Sequence, residues 1–222
     1  RSEEKLGRGH RETQVALANL GVNYRDNDQF EEAIVCLNEV YDNIKKMPVL
    51  GWSRRALRTT YAKSKQVDKF QEFAEPDVKD LRNQLPADSV QFGLAIGRIG
   101  NEYLVAGLPS KAEDLLHEAE EIFKEQKEKI WPYFVTTTAL GRAILQSSKP
   151  TEDNEANNER LKTAESLLTR GYEGLVQRET TMPDPAKIYI SRAINDLIEV
   201  YTLFNNEKEI KAWQKTKSER QN

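Results

Sequence analysis

Apolar residues recur along this chain at spacings of three and four, the pattern of helices that bury one face. Alternating runs of valine, isoleucine and threonine, which would predict strands, are nearly absent. The apolar spacing and the turn residues predict about ten helices in five antiparallel pairs. The predicted pairs are 11–25 with 29–46, 50–64 with 67–82, 88–106 with 109–127, 130–147 with 160–179, and 186–204 with 207–219.

One short pattern recurs in these units. An apolar and a small residue are followed by two spacers and an aromatic or branched residue, and nine residues later by a small or apolar residue. In the fourth unit the small residue, Ala164, comes later because the stretch 149–159 is inserted. Small residues let two helices approach closely, so we expect each glycine to face the later alanine of its unit. The signature positions are Leu20, Gly21, Tyr24, Ala33, Tyr61, Gly100, Tyr103, Ala112, Gly141, Ala164 and Tyr201.

A repeat of roughly 34–45 residues predicts an all-α solenoid, in which each helix pair buries its apolar face against its neighbours. We therefore expect a single domain over 1–222, with units of about 11–46, 50–82, 88–127, 130–179 and 186–219. The polar stretch 147–159 has no apolar periodicity and predicts an exposed loop inserted into the fourth unit. In the second unit, Arg58 and Phe70 replace the small pair, so this unit is expected to pack differently.

The charge balance bears on the class of partner. The chain carries 33 Lys and Arg against 36 Asp and Glu, a net charge of -3, which argues against general attraction to nucleic acids or membrane surfaces.

No apolar run approaches the roughly 18 residues of a spanning helix, so we expect no membrane segment here. We expect a cytoplasmic location, with the outer side of a membrane-anchored parent as the alternative. The single cysteine, Cys36, lies on an apolar face and is expected to be a buried structural thiol.

Catalytic and metal-binding patterns are weak. Asp114, His117 and Glu121 share one helix face and resemble half of a di-iron carboxylate site, but no second half exists, so a solvated acidic face is the better interpretation. The glycines of 93–100 lack the lysine and hydroxyl residue of a phosphate loop and are assigned to helix packing. We expect no enzyme activity, no cofactor, no metal and no small-molecule substrate.

Two features resemble tetratricopeptide repeats (TPRs), in the longer variant found in kinesin light chains and related bacterial proteins. The opening segment 5–24 is similar to the linker and first helix of that variant, with Arg11 in place of the usual proline. The step from Tyr61 to Tyr103 is 42 residues, the length of its repeat. The resemblance implies a right-handed superhelical solenoid and a protein-interaction function.

The C-terminal half has a further resemblance. Segment 164–175 (AESLLTRGYEGL), the turn after Glu179 and the helix from Ala193 are similar to the C-terminal repeats of planctomycete-type bacterial serine/threonine protein kinases. This resemblance implies a regulatory or partner-docking region of a larger bacterial signalling protein. We therefore expect the chain to be a fragment, and one that lacks the kinase motifs themselves.

In tetratricopeptide arrays the first helix of each pair lines a concave groove, and the resemblance assigns seven polar residues to it. Arginine and asparagine side chains suit carboxylates and peptide backbone, so we expect a protein or peptide partner, and an acidic one suits the arginines. One alternative is that these arginines pair with acids of adjacent helices. Another is that the basic segment 52–65, which holds no acid, binds nucleic acid. The seven residues are Asn19, Arg55, Thr59, Arg98, Asn101, Arg142 and Asn195.

Overall fold

A computed structural model describes residues 7–43, 51–124, 130–148 and 155–220. Within these ranges the chain forms ten α-helices and two short 3-10 helices, without a strand. The 3-10 helices, Glu179–Thr181 and Asp184–Lys187, lie between α8 and α9. The α-helices are α1 (Arg11–Asp26), α2 (Phe30–Asn43), α3 (Gly51–Lys63), α4 (Val67–Gln84), α5 (Val90–Ala106), α6 (Pro109–Lys124), α7 (Trp131–Ser147), α8 (Glu155–Gln177), α9 (Ile188–Leu203) and α10 (Glu207–Glu219).

The chain divides into two compact units. The first comprises Arg1–Asp77 with Val105–Gly107, and the second comprises Val78–Leu104 with Leu108–Asn222. In the first unit α2 packs against both α1 and α3, and in the second α7 contacts α6, α8 and α9. The expectation of a single continuous domain stays a prediction.

Signature tyrosines mark the turn inside the first, second, third and fifth pairs, while the fourth pair has Ile144 at this position. The backbone carbonyl of Tyr24 accepts from the N–H of Gln29 at 2.9 Å, and the carbonyls of Tyr61, Tyr103 and Tyr201 accept in the same way, each from the residue five positions later. The residue before each of these donors has a positive φ, namely Asp28, Lys65, Gly107 and Asn205. This is the Schellman geometry, in which one left-handed residue closes the end of a helix. The recurring sequence pattern therefore corresponds to a recurring turn.

The signature glycines lie at close helix contacts. A Cβ on Gly141 would lie 3.0 Å from the Ala164 carbonyl oxygen and one on Gly100 3.5 Å from that of Ala112, as expected, but a leucine side chain lies closer still. A Cβ on Gly21 would lie 2.8 Å from Leu37 Cγ, and the equivalent contacts join Gly100 to Leu116 and Gly141 to Leu168. Each leucine lies four residues, about one helical turn, after the alanine that was expected to face the glycine. These alanines, Ala33, Ala112 and Ala164, are fully buried.

The second helix pair packs with a different arrangement of large and small residues. Arg58 occupies the glycine position and is buried, while Phe70 and Ala74 occupy the alanine and leucine positions and are also buried. A long side chain thus stands where the first, third and fourth pairs have a glycine, and an alanine stands where they have a leucine. This agrees with the departure expected from the sequence.

The predicted loop 147–159 is too long. Ser147 is the last residue of α7, α8 already begins at Glu155, and 149–154 lie outside the described residues. The start of α8 is held by tertiary contacts that local periodicity does not show: the Arg160 guanidinium donates to both carboxylate oxygens of Glu113 on α6, at 3.1 and 2.8 Å. Arg160 also donates to the Ser147 hydroxyl at 2.8 Å.

Helix α7 is the most enclosed helix of the second unit. All its residues from Tyr133 to Leu145 are buried except Arg142, which is partly exposed. Helix α8 approaches it through two glycines, since a Cβ on Gly171 would lie 2.4 Å from Thr138 Cγ2 and one on Gly174 only 2.0 Å from Phe134 Cδ1. Helix α7 is therefore the core element against which the rest of this unit is positioned.

Candidate functional site

The first helices of the pairs in the second unit, α5, α7 and α9, contact one another. Gly97 of α5 lies so close to α7 that an added Cβ would be 2.9 Å from Thr136 Oγ1. Helices α7 and α9 are joined by an ion pair in which the Arg142 guanidinium lies 2.7 Å from Asp196 Oδ2. We call the surface of these three helices, where Arg98, Asn101, Arg142 and Asn195 lie, the first-helix surface.

Arg142 is held firmly in this surface. Its Nε donates to Asp196 Oδ2 at 2.8 Å, and only 14% of its side chain is exposed. Burial raises the pKa of Asp196 above its ordinary value, although the hydrogen bond and charge of Arg142 act in the opposite direction. The arginine predicted to reach a ligand is thus engaged with an acid of the next first helix.

The other predicted residues of the first-helix surface differ in exposure. Arg98 and Asn195 are exposed, and Asn101 is half-buried. The Asn101 side-chain amide donates to the Gly97 carbonyl of its own helix at 3.2 Å, which orients the side chain. Exposed Arg98 and Asn195 are therefore the residues of this group best placed to meet a partner.

In the first unit the predicted groove residues are also at the surface. Asn19 of α1 and Arg55 of α3 are exposed, and Thr59 is half-buried. The Thr59 hydroxyl donates to the Arg55 carbonyl at 3.0 Å, a bond within the same helix. Asn19 and Arg55 thus stay accessible.

The basic segment 52–65 is largely engaged in internal contacts. The Arg54 Nε donates to Asp77 at 2.7 Å, and Arg58 donates to the other oxygen of the same carboxylate. Arg54 also donates to the Tyr41 hydroxyl at 2.9 Å and lies over the Phe73 ring, 5.1 Å from its centroid. The two arginines therefore tie α3 to both α2 and α4.

The lysines at the end of this segment bind helix ends. The Lys63 ammonium donates to the Arg25 carbonyl at 3.3 Å and lies 3.6 Å from Asp28. Lys65 donates to the Val105 carbonyl, in the last turn of α5. Cations at helix C-termini are favourable because the last carbonyls carry partial negative charge. These contacts reduce the charge available to an external ligand.

The other candidate residues from the sequence are the acidic face of α6 and Cys36. Asp114, His117 and Glu121 are exposed on α6, and the part of the chain that the structure describes holds no group of three or more His, Cys, Asp or Glu able to bind a metal. Cys36 is buried, as expected. Burial and the charge of Glu39 raise the pKa of its thiol.

Sequence reasoning missed the acids that connect the helices. Asp196 pairs with Arg142, Glu165 accepts from the Tyr201 hydroxyl at 2.7 Å, and Glu120 accepts from the Tyr133 hydroxyl at 3.1 Å. One of them had a visible signal, because Asp196 interrupts an apolar stretch and a charge on an apolar face needs a partner. The alternative that arginines pair with acids of neighbouring helices thus holds for Arg142.

Comparisons with known proteins agree on the fold. The chain is similar to a solved structure of the nearly identical TPR-like repeats of a kinesin light chain-like protein from Podosopora anserina, with 17% identity, a TM-score of 0.64 and coverage of 96% of both chains. A single-substitution variant of that protein matches at 17% identity and a TM-score of 0.64, covering 91% of this chain and 92% of the other. No family model matches the sequence, and no curated protein matches it.

The predicted fold class, an all-α TPR-like repeat, is confirmed by these structures. At this level of identity the likeness concerns the fold alone. The resemblance to planctomycete-type kinases stays a prediction. Among the described residues, no helix is both long and apolar enough to cross a membrane.

Proposed function

We propose that this chain is a protein-interaction module that binds a peptide or protein segment on its first helices. The observation that carries the proposal is the fold itself, a repeat of helix pairs whose first helices keep polar side chains at the surface. Stacked repeats build extended surfaces suited to long, flexible ligands. The exposed residues are Arg98 and Asn195 on the first helices of the second unit, and, within the first unit taken by itself, Asn19 and Arg55.

The Arg142–Asp196 pair supports this proposal by keeping the surface rigid. A side chain held by an ion pair loses less conformational freedom when a ligand binds beside it. The surface around it offers arginine and asparagine donors, which suit carboxylates and peptide carbonyl groups. We accordingly propose that acidic segments are preferred over neutral ones.

We further propose that the module is the regulatory or partner-docking region of a larger bacterial signalling protein of the serine/threonine kinase type. This part is supported by the similarity of segment 164–175 to the repeats of such kinases. Sequencing the complete gene tests it directly. If the complete gene encodes no kinase domain, the proposed link to a kinase is wrong, whereas the binding proposal is unaffected.

A peptide array of acidic, neutral and basic sequences tests the binding function. We expect the purified chain to retain acidic peptides and to lose them on Arg98→Glu or Asn195→Glu, since each adds a negative charge to the surface. The matched control is Lys211→Glu, which makes a charge change of similar size to Arg98→Glu at an exposed position on a second helix, α10. Equal retention of all peptide classes, or equal loss with Lys211→Glu, would count against the proposal.

The alternative function, nucleic-acid binding through segment 52–65, has less support. Arg54 and Arg58 share the carboxylate of Asp77, and Lys63 lies near Asp28. A nucleic-acid binder would show affinity that falls steeply with salt, because bound counterions are released from the phosphates. Anisotropy titrations with a labelled duplex and a labelled single strand at 50 and 200 mM salt would detect this.

A further inference from the structure

Three polar residues of the first-helix surface share one repeat position. Asn101 of α5, Arg142 of α7 and Glu199 of α9 each lie two residues after the leucine or isoleucine of their repeat signature. Helix α7 contacts both α5 and α9. Residues at one repeat position of stacked helices lie side by side, so Arg142 stands at the centre of this row.

The Arg142 guanidinium is engaged on one edge. Its Nε and one terminal nitrogen, Nη2, both contact Asp196 Oδ2, at 2.8 and 2.7 Å. The other terminal nitrogen, Nη1, has no hydrogen-bond partner among the described residues, and it is not one of the buried polar atoms left without a partner, so it reaches solvent. A solvent-facing N–H group on a fixed arginine is a donor for a carboxylate of a ligand.

Two acids of α9 act on this arginine. Asp196 contacts it directly, with 11% of its side chain exposed, and Glu199 lies one turn later and is exposed. The charged groups that face Asp196 are Arg142 and, on its own helix, Arg192. Those that face Glu199 are Arg142 and Asp196. Within the described ranges, no charged group of the other elements packed against α9, namely α8, α10 and the 3-10 helix Asp184–Lys187, acts on either acid.

Both acids bind their protons more tightly than exposed carboxyl groups do. Burial raises the pKa of Asp196 and that of Glu199, and the charge of Asp196 adds to the effect on Glu199. A protonated Asp196 still offers an oxygen that accepts from Nε, so Arg142 keeps its place. Its positive charge is then no longer compensated, and an anion at Nη1 is attracted more strongly.

We propose that Asp196 is an internal competitor of the ligand: its carboxylate neutralises Arg142, and an acidic segment binds tightly when that carboxylate is itself neutral. This inference rests on the proposed function, because it concerns when the first-helix surface accepts an acidic segment. By linkage, an anion bound at Arg142 favours proton uptake by Asp196, so the affinity rises as the pH falls.

The test uses the full chain and a rhodamine-labelled octapeptide in which cysteic acid alternates with glycine. Its sulfonates stay ionised, so protonation of the ligand does not contribute. By fluorescence anisotropy, we expect the native sequence to bind about threefold to tenfold more tightly as the pH is lowered from about 8 to about 4. Asp196→Asn removes the charge but keeps an acceptor for Arg142. It should bind about threefold to tenfold more tightly than the native sequence at pH 8, and should gain less on acidification.

Two further variants control this experiment. Asp114→Asn makes the same charge change at an exposed position on a second helix, α6, and should leave the affinity unchanged. The double variant Arg142→Gln/Asp196→Asn removes the donor as well as the competitor, so the gain from Asp196→Asn should disappear. Replacing both partners also avoids leaving one buried charge unpaired.

The outcomes separate this inference from the proposed function. Equal gains on acidification for the native sequence and Asp196→Asn, or equal affinities of Asp196→Asn and Asp114→Asn at pH 8, would overturn the competition and leave the proposed function in place. A gain that persists in the double variant would overturn it as well, because Arg142 would not be the donor. If no variant binds the peptide at any pH, both the competition and the binding of acidic segments are wrong.

Discussion

Gly100 of α5 lies directly against Leu116 of α6, so that a Cβ on the glycine would be 2.7 Å from the leucine Cγ. The equivalent distance is 2.8 Å both for Gly21 against Leu37 and for Gly141 against Leu168. In these three pairs the helices approach until the leucine fills the space that a side chain on the glycine would need. The glycines are therefore required by packing between helices, since they occupy ordinary helical positions.

Another glycine contact, that of Gly174 with Phe134, is closer still and predicts a large loss of stability. In Gly174→Ala the new methyl group would lie 2.0 Å from Phe134 Cδ1, and this ring is confined by Arg178, whose guanidinium lies 4.5 Å from its centroid. We expect the free energy of unfolding to fall by about 1–3 kcal/mol, as for other overpacked cores. Urea unfolding followed by circular dichroism measures it. The control Gly51→Ala has no atom within 4 Å of the new Cβ and should change stability by about 1 kcal/mol or less.

The buried carboxylate Glu120 predicts a second effect on stability. It accepts from the Tyr133 hydroxyl at 3.1 Å and from the Arg170 guanidinium, so it connects α6 with α7 and α8. Glu120→Ala would leave both donors without this acceptor, and we expect a loss of about 2–3 kcal/mol. Tyr133→Phe leaves the contact between Glu120 and Arg170 in place and should cost less, about 1 kcal/mol.

A neighbouring acid provides the control for that experiment. Glu121 is exposed and pairs with Lys124, also exposed, at 3.2 Å. Exposed pairs one turn apart contribute little, so Glu121→Ala should change the free energy of unfolding by less than about 0.5 kcal/mol. Equal losses for the variants at 120 and 121 would show that the buried network does not stabilise the fold.

The raised pKa of Asp196 predicts a pH dependence with a definite sign. The folded chain keeps this proton at pH values where the unfolded chain, with a pKa near 3.8, has lost it. The stability contributed by Asp196 is thus present below that value and is lost as the pH rises through the raised pKa. We expect the free energy of unfolding of the native sequence, relative to Asp196→Asn, to fall as the pH rises above the unfolded pKa and to level off once the pH has passed the raised folded pKa.

The control for this prediction has the opposite sign. The hydrogen bond and charge of Lys187 lower the pKa of exposed Asp184, so its contribution is present above its unfolded pKa and is lost as the pH falls. The native sequence relative to Asp184→Asn should therefore gain stability as the pH rises. Parallel urea titrations that extend below pH 3.8 as well as above it would contradict the assignment if both differences moved the same way.

Cys36 predicts low thiol reactivity in the native state. It is buried beside Gly21, and burial together with the charge of Glu39 raises the pKa of the thiol. The thiolate is the reactive form, so alkylation by iodoacetamide at neutral pH should be much slower in the folded chain than in urea. Mass spectrometry of quenched samples follows the reaction, and similar rates in both states would contradict the prediction.

Much of the helical structure could be anticipated because its signals are local. Four signature tyrosines each precede a turn closed by a left-handed residue. At three of these turns that residue is Asp28, Gly107 or Asn205, types that tolerate the conformation, and at the fourth it is Lys65. The beginning of α8 could not be anticipated in this way. Its residues 155–159 are polar and lack apolar periodicity, and the helix is held by Arg160, whose partners Glu113 and Ser147 lie on two other helices.

The sequence by itself determined the helices, the turns within pairs and the positions of small residues, since these depend on neighbours within a few residues. Only the tertiary structure decided that leucine side chains lie closer to the glycines than the alanines do, and that Arg142 is held by Asp196. Arg142 and Asp196 are 54 residues apart in the chain. Contacts at such separations depend on how the helices stack, and a polar residue in a helix shows the same local pattern whether a ligand, an acid or solvent faces it.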